Sequence, residues 1–195
     1  MTNASAFVRS GLSVTGTVPA ADAGAAVEID QLSPIPGSSW VPVAVVPAAS
    51  SGLFAASWHT GPAGPLTIRA ELQGSPASSA AASAPSVSVM LYRRSIATLY
   101  GPGFYGAQTA CGVILRRRTI GVASRTLKCG TEVQVYYNGR VLTVPVIDRG
   151  PYDHHANWDL TMATGRALGM QGTAMIGAAS IPPPATSAAG PPASQ

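Results

Sequence analysis

Residues 131–170 read TEVQVYYNGRVLTVPVIDRGPYDHHANWDLTMATGRALGM, a hairpin followed by a capped helix. Asn138-Gly139 between two apolar, β-branched runs suits a type I′ turn, because both residues of that turn need positive φ. Thr161 stands at an N-cap position. A short helix runs through Ala163, Arg166, Ala167 and Leu168 and stops at Gly169. Upstream, IATLYGPGFYG (96–106) opens with a strand and a Gly/Pro turn, and downstream TAMIGAA (173–179) supplies a closing strand. Short strands around one small helix predict a compact barrel over residues 96–178, and the chain as a whole is predicted to be mainly β.

Outside this region lies a series of short strands punctuated by turn residues: LSVTGTV (12–18), AAVEIDQLSP (25–34), SWVPVAVVPA (39–48), GLFAASWHT (52–60), PLTIRAEL (65–72) and SVSVMLYR (86–93). Val27, Ile29 and Leu32 alternate with Glu28 and Asp30, and Leu66, Ile68, Ala70 and Leu72 alternate likewise, which predicts strands with one buried and one wet face. Six to seven strands in this span predict an immunoglobulin-like β-sandwich over residues 11–93 that lacks the Cys…Trp…Cys pattern of antibody domains. The junction with the barrel is placed at Arg93-Arg94-Ser95. SPASSAAASAPS (75–86) is read as a long loop inside the sandwich, and residues 179–195, rich in Pro and Ala, as a disordered tail. Trp40 and Trp58 fit core packing better than a sugar-stacking platform, and His59 is read as a surface residue.

Charged residues make up 10% of the 195-residue chain, which argues against long amphipathic helices and coiled coils, and no apolar run is long enough for a membrane-spanning helix. Residues 1–90 hold two basic and four acidic groups, whereas the remaining 105 hold ten basic and four acidic ones, a balance of +6. Arg116-Arg117-Arg118 lacks interleaved aromatics, so a nucleic-acid partner is not expected and a solvated loop is the plainer reading. Cys111 and Cys129 lie close in sequence without metal-ligand spacing, so neither a metal nor a cofactor is expected. They are read as a disulfide, which implies an oxidising compartment; two buried free thiols are the alternative. Met1 to Ser13 has no apolar core of the kind secretory signals need, so the true start is expected upstream or the leader is absent from the sequence.

Read together, Ala97-Thr98-Leu99-Tyr100-Gly101, Thr109-Ala110-Cys111-Gly112, Val122 to Leu127, Cys129-Gly130-Thr131, Gly139-Arg140, Val146-Ile147-Asp148-Arg149-Gly150-Pro151-Tyr152, Trp158-Asp159-Leu160-Thr161 and Ala167-Leu168-Gly169-Met170 carry a resemblance. In this order they resemble the six-stranded double-psi β-barrel of the rare lipoprotein A (RlpA) and expansin superfamily. The resemblance implies a peptidoglycan or related wall-glycan partner and a place outside the cell or at its envelope. For RlpA-like members it implies lytic transglycosylase chemistry, in which a glycan strand is cleaved without water and a 1,6-anhydromuramic end is left.

Two departures bear on that activity. Catalytically competent RlpA domains carry a Glu where this chain has Val113 and a His where it has Ser124. Expansins keep a Thr and two Asp residues at positions matching Thr109, Asp148 and Asp159. By that likeness Asp159 is the candidate acid, Asp148 its charge-coupled partner and Thr109 a substrate-positioning hydroxyl. If the two carboxyls are close, repulsion raises one of their pKa values. The plainer alternative makes Asp148 a loop-fixing group and Asp159 a structural residue at the helix. Tyr100, Tyr152 and Trp158 are candidates for stacking on sugar rings, as is Tyr105, and Arg149 is a candidate for binding an anionic wall group. His154-His155, between the two Asp residues, is read as a solvated pair. A wall-acting enzyme with a degenerate site and a non-catalytic, expansin-like wall-binding module both follow from these residues, and either is expected to act as a monomer.

Overall fold

The computed structural model describes residues 4–33, 37–73, 85–152 and 155–182. It contains β1 (Ala4–Phe7), β2 (Gly11–Thr17), β3 (Ala26–Leu32), β4 (Val41–Pro47), β5 (Leu53–His59), β6 (Gly64–Leu72) and β7 (Ser86–Tyr100). There follow β8 (Val122–Ala123), β9 (Glu132–Tyr137), β10 (Arg140–Asp148), β11 (Trp158–Thr161), α1 (Met162–Leu168) and β12 (Ala174–Ser180). The fold is mainly β with one short α-helix, as the sequence predicts.

Two layers make up the first part. Strands β4-β3-β6-β7 pair antiparallel in that order, β1 adds to β7 in parallel, and β2 and β5 form a separate two-stranded sheet. Val27 and Ile29 from β3, Leu66 and Ile68 from β6, and Val89 and Leu91 from β7 pack against Phe54, Ala56 and Trp58 of β5. Trp58 therefore belongs to a core, while Trp40 lies under the Arg69 guanidinium, 4.2 Å from the ring centroid. One detail departs from simple alternation. Asp30 was expected on a wet face, yet it is only 3% exposed. A register shift between Ile29 and Asp30 turns it inward, and Arg69 holds it with Nη2 at 2.9 Å and Nε at 3.0 Å. That pairing makes burial of the charge tolerable.

The second part is a closed barrel of six strands in the order β7-β11-β8-β10-β9-β12, with β12 returning to β7. Two of its pairings, β10 with β8 and β11 with β7, are parallel. Ala97, Val122, Val133, Val135, Val144, Val146, Leu160, Ile176 and Ala178 point into its centre, joined by Leu168 and Met170 from α1 and its exit. The β9–β10 hairpin turns on Asn138 (φ 46°) and Gly139 (φ 79°), matching the type I′ expectation. Thr161 caps α1 by accepting a hydrogen bond from the Thr164 N–H, and Gly169 ends it in the left-handed region at φ 78°.

The predicted junction proved to be the interior of a strand. Strand β7 passes without a break through Arg93-Arg94-Ser95, its first half paired with β6 and β1 and its second half with β12 and β11. Arg94 is thus a strand residue stacked on Phe7, 4.5 Å from the ring centroid. β12 runs to Ser180, two residues past the predicted end of the barrel at 178; residues 183–195 lie outside the described residues, as do residues 74–84, which include most of the predicted sandwich loop.

Candidate active site

The barrel brings Asp148 and Asp159 to one face through a short register line. Asp148 of β10 pairs with Ala123 of β8, Ala123 pairs with Asp159 of β11, and Asp159 pairs with Thr98 of β7. Residues opposite one another across a sheet share a face, so the two carboxyl groups flank the Ala123 methyl. Their Cα atoms are two strand spacings apart, roughly 10 Å. Alternation alone would not do this, because Val144 and Val146 point into the core and Asp148 has the same parity. A bulge between Val146 and Asp148 inserts one residue opposite the Val122–Ala123 step and moves Asp148 to the outer face. The extra residue, Ile147, packs against Gly121, where an added Cβ would lie 2.7 Å from its side chain, so only glycine fits there.

Backbone N–H groups fix Asp148. Its Oδ1 accepts from Ala110 N at 2.9 Å and from Arg149 N at 2.8 Å. Ala110 belongs to a tight loop in which Thr109 Oγ1 accepts from Val113 N at 3.1 Å and Thr109 N donates to Val113 O. The Cys111–Cys129 disulfide ties this loop to the start of the hairpin, so the oxidised reading of the cysteines holds. Thr109 thus faces its own loop, and its neighbour's backbone is what reaches Asp148. Arg149 is folded back, Nη1 donating to Ser124 O and Asp148 O and Nη2 to the Cys129 sulfur.

Asp159 is half-buried, and its carboxyl pKa is pushed up to about 6, first by burial and secondarily by the nearby Asp148 charge. Thr98 Oγ1 donates to Asp159 Oδ1 at 2.9 Å and pulls in the opposite direction by favouring the charged form. Tyr100, two residues along β7 and therefore on the same face as Thr98, has a buried hydroxyl with no hydrogen-bond partner among the described residues. Burial, Asp148 and Asp159 raise its pKa, so the phenol stays protonated and has a hydrogen bond to give. Replacing Thr98 by Val is expected to raise the Asp159 pKa further above 6, read as the carboxyl carbon shift across an NMR titration; a fall would mean the hydroxyl does not hold the carboxylate.

Other predicted residues lie elsewhere. Trp158 precedes Asp159 on β11 and so points to the opposite side of the strand, against the barrel core. Tyr152 is 79% exposed. Ser124 is buried, its Oγ accepting from Thr126 N and Leu127 N, so it serves a turn rather than the carboxyl pair. His155 is exposed, and His154 lies outside the described residues. Thr98 and Ala123 were not singled out as site residues in the sequence, although both lie in stretches quoted for the resemblance. The signal available was the alternation that puts Thr98 and Tyr100 on one face.

Residues 93–181 match the family model described as lytic transglycolase, and the matched span coincides with the six barrel strands. The barrel is RlpA-like. A protein of Aquifex aeolicus named as a probable endolytic peptidoglycan transglycosylase RlpA is 41% identical over 81 residues, covering 40% of this chain and 36% of that protein. A protein of the same name from Synechocystis is 40% identical over 77 residues, covering 38% and 24%. The chain therefore spans about a quarter to a third of the length of these relatives, and the likeness lies in the RlpA-like barrel. Among solved structures, the Streptomyces papain inhibitor is 26% identical with a TM-score of 0.38, covering 46% of this chain and 93% of that one.

Proposed function

We propose that this protein acts at the cell envelope on peptidoglycan, with the RlpA-like barrel as a lytic transglycosylase domain and Asp159 as its acid and base. The observation that carries this reading is a half-buried carboxyl with its pKa pushed to about 6, set beside a second carboxylate on the same outer face of the barrel. A protonated Asp159 gives its proton to the glycosidic oxygen as the C1–O4 bond breaks. The resulting carboxylate then takes the proton of the muramic C6 hydroxyl as that oxygen closes on C1. One group serves both steps, the proton count balances, and no water enters. Asp148 contributes negative charge beside the sugar cation that develops, and the Tyr100 hydroxyl is available to a substrate oxygen. In the same reading the first part of the chain is an immunoglobulin-like domain that helps hold the polymer.

A second reading is favoured by Val113, which cannot transfer a proton, and by Ser124, whose hydroxyl is occupied in a turn. In it the chain is a non-catalytic, expansin-like wall-binding module. Incubating purified protein with intact and with peptide-stripped sacculi, followed by pelleting and mass spectrometry of the supernatant, separates the two. Anhydromuramyl fragments are expected. Co-pelleting with an unchanged supernatant would leave only the binding module.

A further inference from the structure

A cavity of about 370 Å³ opens where the β5–β6 turn, at Pro62 and Ala63, meets the lower end of the barrel. Its other walls include Arg93 and Ser95 of β7, Ser124 and Arg125 after β8, and Asn157 and Trp158 at the start of β11. Because Trp158 and Asp159 are consecutive strand residues, this cavity lies across the strand from the carboxyl pair and is a different site. Its charge is one-sided. Arg93 and Arg125 both line it, and none of its lining residues is acidic. The Arg125 guanidinium is anchored, Nη1 donating to Pro151 O at 2.7 Å and Ala156 O at 3.1 Å, which fixes the charge in place before any ligand arrives. Arg93 is exposed and forms no ion pair with a described residue. Trp158 adds a half-buried aromatic wall, and Ser95 and Asn157 add polar groups.

Two guanidinium groups without a carboxylate, beside an indole, make a receptor for an anion attached to a ring or an apolar stem. We propose that this cavity is a second ligand site that takes a carboxylate-bearing fragment of the wall polymer, bound by Arg93 and Arg125 with its body against Trp158. The choice of polymer rests on the peptidoglycan reading above; the carboxylate chemistry rests on the cavity alone. In peptidoglycan that carboxylate has two sources, the lactyl group of muramic acid on strands from which the stem peptide has been removed, and the acidic groups of the stem peptide itself.

The test is ¹⁵N NMR titration of the full chain with N-acetylmuramic acid, with an acidic stem dipeptide, with glucuronic acid and with neutral N-acetylglucosamine. The Trp158 indole and the amides of Arg93, Ser95 and Asn157 are followed. Muramic acid or the dipeptide is expected to shift these signals, and the stronger of the two identifies the source. Arg93→Gln should weaken that binding about tenfold, as should a rise in salt, while Asp159→Asn leaves it unchanged. Equal response to neutral N-acetylglucosamine, or no response at these signals to any carboxylate, overturns the site. Fragment release from sacculi without these shifts removes the second site and keeps the lytic reading. Shifts by glucuronic acid as strong as those by the wall ligands keep the carboxylate site and remove its assignment to the wall.

Discussion

Asp159→Asn is expected to end the release of anhydromuramyl fragments from sacculi, with a loss of about 10² to 10⁴ in rate, the range associated with losing a general acid–base group. The same variant is expected to melt at a higher temperature than the wild type at pH 8. Both effects have one cause. Inside the fold the Asp159 carboxyl titrates near 6, against an ordinary value of 3.8, because burial and Asp148 disfavour its charge. As pH rises from 3.8 towards 6 the unfolded chain releases this proton while the native state retains it, so the wild type loses stability across that window. Asn carries no charge and escapes the penalty, yet its side chain still accepts the Thr98 hydrogen bond. The gain in melting temperature should therefore be full above about pH 6 and vanish below about pH 4. Wild-type activity should decline above pH 6 as the acid form is depleted. A variant that keeps its fragment release, or melts no higher at pH 8, would make Asp159 a structural residue.

Opening the disulfide should have the second largest effect. Cys111 and Cys129 are 18 residues apart in sequence, and closing a loop of that length contributes about 3 kcal/mol in the chain-entropy account. The Cys111→Ser/Cys129→Ser double variant should lose stability of that order, measured as the shift of a urea midpoint at constant slope. Activity should fall with it, even under conditions where the variant is folded. The disulfide anchors the loop whose Ala110 N–H holds Asp148, and a loosened Asp148 no longer raises the Asp159 pKa to the same degree. The pH profile of the double variant should move to lower pH. An unchanged midpoint would show that Thr109–Val113 contacts alone keep the loop in place.

Much of the barrel was legible because its signals are local. Asn138-Gly139 specifies a turn, Thr161 a cap and Gly169 a helix end, each through the backbone geometry of one or two residues. The carboxyl pair was legible through the resemblance, but its geometry was not. The bulge that aims Asp148 outward depends on how β10 meets β8 across 24 residues of chain, and nothing in VPVID itself announces it. Asp30 was misread for the same reason, since Arg69, its partner, is 39 residues away. The parallel pairing of β1 with β7 left still less trace, because four residues without alternation could be placed almost anywhere. The junction was placed at Arg93-Arg94-Ser95, between two stretches that each read as a strand of its own; in the structure both belong to one continuous strand.

That strand has a mechanical consequence. A 15-residue β-strand is about 50 Å long and resists bending once both halves are hydrogen-bonded to neighbours. Whatever the first part of the chain binds, β7 holds it at a set distance and angle from Asp159, in the manner of a caliper rather than a tether. Under the function proposed above, a glycan strand gripped at one end would thus be presented to the barrel at a fixed interval, and length along the polymer, rather than its local chemistry, would decide which bond is met.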